Sequence, residues 1–288
     1  MVEVLELSGS GEGPDAARAA GVLERGGLVL LPELPFALSE AERTFLDPAV
    51  LAPKTKNVSY DPGTGAVGGT SAQGKAREGL GRMMARYAAF ATALLERLAP
   101  GYAQALQVRR TSLRPGAVDT RVLSPRKDDR RLHVDAFPAS PVQGRRILRV
   151  FTNVNPHRQA RVWNIGEDDF ETLAERLGPA ALKPRTLSPW LMERLRITRG
   201  RRTDYDAAML ALHDGIKLDD AYQAQAPRRR MAFPPGMSWV VYTDGALHAA
   251  LEGQHALEQT FLMPVSAMED EARSPLRILE RRAGRALT

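Results

Sequence analysis

The sequence predicts an α+β chain with a mainly β core: a jelly-roll, cupin-like double-sheet barrel buttressed by helices. Three observations lead there. Strand-like runs cluster in two blocks, residues 103–154 and 237–265. Helical patterns come before and between those blocks. No β-α-β alternation occurs, which argues against a parallel, Rossmann-type sheet and for two packed antiparallel layers.

Residues 13–25 fit a first helix, with Asp15 near its start and Gly26-Gly27 closing it. Leu28 to Pro32 is a short buried strand. Ser39-Glu40-Ala41-Glu42 is a capping box, in which the serine caps the backbone and Glu42 reaches back, so a second helix opens there. Residues 54–70 are rich in turn formers and are expected to be a loop. Residues 71–98 carry apolar side chains at helical spacing until Pro100-Gly101 stops them. Residues 103–113 alternate loosely as a strand, followed by the loop 114–129. Leu132 to Ala136 is taken as extended, and 145–154 as the next strand. Helices are expected at 168–177, at 189–197 behind Ser188 as N-cap, and at 204–217. Strands at 237–243 and 256–265 complete the core, and 274–285 forms a short basic helix. The whole chain, 1–288, is assigned to one domain. Within it, 1–102 is an N-terminal helical portion, 103–265 the β core with a helical insertion at 168–217, and 266–288 a basic tail.

Composition narrows the chemistry. With 288 residues and 43% hydrophobic content the chain can bury a sizeable core. It contains 0 Cys, which removes disulfides, thiol nucleophiles, iron–sulfur clusters and thiolate zinc sites together. Any metal must therefore be held by Asp, Glu or one of 5 His. A net charge of +6 favours anionic partners. The charge is spread along the chain rather than gathered in one arm, so nucleic acid is not expected. No secretory signal is evident and the longest apolar stretch, Tyr87 to Leu95, is too short to span a bilayer, so the expected location is the cytoplasm.

The densest chemistry lies in Arg130-Arg131-Leu132-His133-Val134-Asp135-Ala136-Phe137-Pro138. In an extended segment His133 and Asp135 point the same way. Such an H-x-D pair supplies two of the three ligands of a 2-His-1-carboxylate iron site. His248, after the apolar run Ser238 to Thr243, is the first choice for the third, and His255 is its competitor. His157 and His213 are read as surface or helix-packing residues. Arg149 lies inside the apolar run Ile147-Leu148-Arg149-Val150-Phe151, sharing a strand face with Phe151 and Asn153. A guanidinium there needs an anion, and a dicarboxylate co-substrate provides one. The charged loop before the H-x-D pair offers Arg126, Lys127 and Arg130 as a collar for an anionic substrate. Arg277, Arg281, Arg282 and Arg285 beside Leu276, Ile278 and Leu279 could touch a membrane surface or pack on their own domain.

Several of these stretches resemble one family. Arg126 to Asp129, Leu132 to Pro138 and Arg146 to Pro156 are similar to the Kdo hydroxylases, as are Lys56 to Pro62, Phe233 to Ala250 and Leu257 to Phe261. These are bacterial Fe(II)/2-oxoglutarate dioxygenases acting on 3-deoxy-D-manno-oct-2-ulosonic acid (Kdo). The resemblance implies a double-stranded β-helix, Fe(II) held by His133, Asp135 and His248, and 2-oxoglutarate and O2 as co-substrates. It implies hydroxylation of Kdo at carbon 3 on Kdo-lipid A, giving D-glycero-D-talo-oct-2-ulosonic acid; a peripheral contact with the inner leaflet of the inner membrane is left open. One departure stands out. Many members of the wider superfamily place an Arg or Lys about ten residues after the distal His, where this chain has Glu258 and Gln259. Arg149, with Asn153 on the same face, is therefore assigned to 2-oxoglutarate. A 2-oxoglutarate hydroxylase with another substrate and a non-catalytic, cupin-like sugar-binding module are the competing readings.

Overall fold

The computed structural model describes residues 1–9, 11, 15–118, 123–183 and 200–288. Eleven strands lie among them: β1 Val4–Glu6, β2 Leu28–Leu31, β3 Val58–Tyr60, β4 Val67–Gly68, β5 Gln107–Arg114, β6 Arg146–Asn153, β7 Arg161–Gly166, β8 Arg228–Phe233, β9 Ser238–Tyr242, β10 His248–Glu252 and β11 Ala256–Met263. They form an eight-stranded sheet in the order β1-β2-β9-β6-β11-β5-β3-β4 and a three-stranded sheet in the order β10-β7-β8. Strand pairing is antiparallel throughout except between β1 and β2. This is the jelly-roll architecture that the two strand blocks predict.

The α-helices among the described residues are α1 Ala19–Glu24, α2 Glu40–Arg43, α3 Gly74–Leu98, α4 Phe170–Glu175, α5 Asp204–Leu218, α6 Asp220–Gln225 and α7 Pro275–Ala283. Helix α3 buries Leu80, Met84, Tyr87, Ala91, Leu94 and Leu98, the stripe that its sequence spacing demands. It lies against the large sheet, where the buried Tyr87 hydroxyl reaches Val150 O and Thr152 Oγ1 at 3.2 Å. The capping box at Ser39 and Glu42 forms as expected, though α2 is only one turn long. Thr203 and Asp206 make a second box that starts α5.

Several expectations need correction. The N-terminal portion is not only helical, because β1 and β2 extend the large sheet through β9. The turn-rich 54–70 segment contains the β3–β4 hairpin, which pairs with β5. Leu132 to Ala136 is not a regular strand; His133 makes an isolated bridge to His248. Strands β7, β8 and β10 are additional, and they make up the whole smaller sheet. Their sequences disguise them: β8 opens on three arginines, the charged dressing of an edge strand, and His-Ala-Ala-Leu-Glu in β10 has the composition of a helix. The helix expected at 189–197 lies outside the described residues.

The basic C-terminal helix packs on its own domain. Leu276, Ile278 and Leu279 are buried in the main core. Arg277 pairs with Glu271 and Glu280, Arg281 with Glu171, and Arg285 with Asp204. Among the described residues no helix is long and apolar enough to cross a membrane.

Candidate metal centre and cavity

The H-x-D segment is pinned between the two sheets by main-chain hydrogen bonds. His133 N donates to His248 O at 2.9 Å and His248 N returns the bond at 2.9 Å, while Asp135 N donates to Thr243 O at 2.7 Å. The segment thus runs antiparallel to the start of β10 and catches the end of β9. His133, Asp135 and His248 are brought together, each offering one ligand atom within 4.8 Å of the others.

The imidazoles are aimed by their second nitrogens. His133 Nδ1 lies 2.7 Å from Arg131 O and His248 Nδ1 lies 2.9 Å from Ala246 O. Carbonyls only accept, so each Nδ1 carries the proton and each Nε2 keeps a lone pair for the centre. Trp163 stacks on His248 at 5.3 Å and His213 meets His133 edge-on at 5.5 Å, which fixes both ring planes. Burial pushes both histidines below their ordinary pKa, with His248 adding to the effect on His133. They are therefore neutral, as metal ligands must be.

Burial alone raises the Asp135 pKa, but the neighbouring Arg149 guanidinium outweighs it and holds the carboxyl well below the usual range. Asp135 Oδ2 is 3.1 Å from Arg149 Nη1, an ion contact without the alignment of a hydrogen bond, so that buried oxygen has no hydrogen-bond partner. Two neutral imidazole nitrogens and one carboxylate, all desolvated and convergent, are the donor set suited to Fe(II) with open positions.

A cavity of ≈ 150 Å³ opens beside this cluster, and its wall includes Arg114, Asp129, Arg149, Phe151, Arg161 and Glu258. Arg149 also lies over the Phe137 ring, with Cζ 5.4 Å from the centroid. Glu258 is buried, 3% exposed, between Arg114 Nη2 at 2.8 Å and Arg149 Nη1 at 3.5 Å. Three buried or half-buried guanidinium groups therefore face a space large enough for a small anion.

The other expected site residues divide. Arg149 lies in the cavity wall, whereas Asn153 does not: its amide donates to Gln159 O and Phe233 O, and its carbonyl accepts from Asn155 N. Asn153 therefore braces loops, because the β6 face it shares with Arg149 has left the cavity by that point. Arg126, Lys127 and Arg130 lie outside the cavity wall too. Arg126 pairs with Asp214 at 3.4 Å, Lys127 is exposed, and Arg130 grips Asp128. His255 stands apart from the cluster, near His157 at 6.1 Å.

Sequence reasoning passed over Arg114, Asp129, Arg161 and Trp163, and it read His213, which packs on His133, as a surface or helix-packing residue. Asp129 looked like part of a solvated loop, yet Lys56 and Lys217 each approach it to 3.5 Å and turn it inward. Arg114 carried a usable signal, since it ends a strand of falling polarity and shares a face with buried Ser112.

Comparison with known proteins agrees with this geometry. The family model for 3-deoxy-D-manno-oct-2-ulosonic acid (Kdo) hydroxylase matches residues 11–286. The crystal structure of the Kdo hydroxylase KdoO, a non-heme Fe(II) α-ketoglutarate-dependent dioxygenase, in complex with α-ketoglutarate and Fe(III), is 39% identical in sequence. It superposes with a TM-score of 0.93 over 99% of this chain and 97% of that chain. KdoO in complex with cobalt(II) gives the same values, and its apo structure gives 40% identity and a TM-score of 0.92 over the same shares. A search of the curated proteins found no match. With its fold, its His-Asp-His cluster and these matches taken together, the chain belongs to the Kdo hydroxylase family of non-heme Fe(II)/2-oxoglutarate dioxygenases.

Proposed function

We propose that this protein hydroxylates Kdo at carbon 3 on Kdo-lipid A, giving D-glycero-D-talo-oct-2-ulosonic acid, with Fe(II), 2-oxoglutarate and O2. The observation that carries the proposal is the convergence of His133, Asp135 and His248 within 4.8 Å at the wall of a cavity that Arg114, Arg149 and Arg161 also line. Fe(II) held there would, with 2-oxoglutarate as the reductant and O2 as the oxidant, supply the chemistry that converts a C–H bond to C–OH.

The chain's own residues do the rest. Arg131 O and Ala246 O fix the imidazole tautomers, and Arg149 keeps Asp135 ionised. Arg149 Nε is buried without a hydrogen-bond partner in the cavity wall, which suits it to receive the distal carboxylate of 2-oxoglutarate. Phe151 and Trp163 exclude water from one side of the site. Lys127 and Arg126, exposed on the segment that leads into Asp128 and Asp129, are the residues proposed to meet the lipid A phosphates outside the cavity. The reaction is proposed to occur in the cytoplasm, the glycolipid being presented by the inner leaflet of the inner membrane.

The test is turnover of the Fe(II)-loaded protein with 2-oxoglutarate and Kdo-lipid A, followed by mass spectrometry of the released sugar. One oxygen atom gained on Kdo per succinate formed is expected. Succinate formation that is indifferent to the Kdo acceptor would remove the substrate assignment and leave only the dioxygenase chemistry.

A further inference from the structure

Glu258 occupies β11 ten residues after His248, opposite Ser112 of β5 and Phe151 of β6. The arginines it meets are the diagonal neighbours two residues along each flanking strand, Arg114 and Arg149. Arg114 Nε and Nη2 both reach Glu258 Oε2, at 3.0 and 2.8 Å. Arg149 Nη1 lies 3.5 Å from Glu258 Oε1 and 3.1 Å from Asp135 Oδ2. One corner of the Arg149 fork is thus held between two carboxylates, while its Nε is left without a hydrogen-bond partner.

The second carboxylate matters because of what a guanidinium does with only one. A buried arginine facing a single carboxylate tends toward the bidentate, fork-to-fork arrangement. Without Glu258, Arg149 would turn its remaining donors onto Asp135. That movement would spend the donors facing the cavity and compete for the carboxylate that must hold metal.

We infer that Glu258 is a positioning residue that holds Arg149 off Asp135 and keeps its fork directed at the co-substrate carboxylate; this rests on Arg149 being the 2-oxoglutarate anchor. Glu258 also offsets the charge of Arg114, and the two roles predict opposite signs. If Glu258 served only to balance charge, Glu258→Gln would make the cavity more positive and bind the 2-oxoglutarate dianion more tightly. If it positions Arg149, the same substitution weakens binding.

The experiment is an anaerobic optical titration of Fe(II)-loaded protein with 2-oxoglutarate, reading the Kd without turnover. Glu258→Gln should raise the Kd about tenfold. The double variant Glu258→Gln/Arg114→Gln, whose net charge equals that of the parent, should keep the raised Kd, and it decides between the two roles if the single variant fails to fold. A Kd at or below the parent value in Glu258→Gln, or a return to the parent value in the double variant, overturns the proposal. Arg149→Gln is titrated alongside. Weak binding there with normal binding in Glu258→Gln removes only the role of Glu258, whereas normal binding in Arg149→Gln removes the anchor and the proposal together.

Discussion

His133 and His248 hold each other's main chains, each amide donating to the other's carbonyl at 2.9 Å, with ring centroids 4.6 Å apart. The bridge does not depend on either imidazole. His133→Ala or His248→Ala should therefore abolish Fe(II)-dependent succinate formation while leaving the metal-free melting temperature close to the parent's. Asp135→Ala should also abolish turnover, and should cost about 1–3 kcal/mol in the metal-free protein as well, because Arg149 loses one of its two carboxylates. Normal turnover by any of the three would end the ligand assignment.

Arg149→Ala should raise the KM for 2-oxoglutarate. Charge-assisted hydrogen bonds to a carboxylate are worth roughly 1.5–3 kcal/mol, so the rise should be about 10- to 150-fold. Arg149→Lys should fall between, since an ammonium restores the charge but not the planar fork. Steady-state succinate formation against 2-oxoglutarate concentration reads both, and an unchanged KM would move the anchor to another residue of the cavity wall.

How much of this site could be read from residues alone depends on how local each constraint is. The spacing of His133 and Asp135 is local, and both side chains face the centre even though their segment is a bridge rather than a regular strand. Arg149 was legible because a cation inside an apolar run needs an answering anion. The choice of His248 over His255 was not local. It depends on β10 crossing to the smaller sheet, and a strand of His-Ala-Ala-Leu-Glu has no alternating pattern to announce itself. Asn153 misled for a related reason: strand parity fixes a face, but not where along that face the cavity ends. The inward turn of Asp129 needs Lys56 and Lys217, which come from distant stretches of chain.

Arg146 and Asp244 form a pair 2.8 Å apart with both side chains 1% exposed, and the guanidinium lies 4.0 Å over the Tyr242 ring. Removing one partner strands a buried charge, so Asp244→Ala should cost about 3–5 kcal/mol by urea denaturation. Asp244→Ala/Arg146→Met should recover much of that loss. Asp244 directly follows Thr243, whose carbonyl holds Asp135 N. The single variant should therefore also bind Fe(II) more weakly, and normal affinity would show that the turn keeps its place without the pair.

His255 gives the fold an acid limb. Burial, and then the neighbouring His157, push its imidazole down to about 4, outweighing the Leu46 backbone contact that favours the charged form. In the unfolded chain a histidine titrates near 6.5. Between those values the unfolded state binds a proton that the folded state refuses, so stability rises with pH across the window. Above about pH 6.5 both states are neutral and the residue costs nothing, and as pH falls toward 4 a penalty on the folded state grows to about 3 kcal/mol. His255 has φ +59°, a left-handed conformation that Asn accepts more readily than other side chains. His255→Asn should therefore fold and should flatten stability between pH 6.5 and 4 by up to about 1.4 kcal/mol per pH unit. His133 and His248 titrate in the same direction, but they are present in both proteins and cancel in the difference. Urea denaturation across this range is the measurement, and equal slopes for parent and variant would show that His255 titrates normally in the folded state.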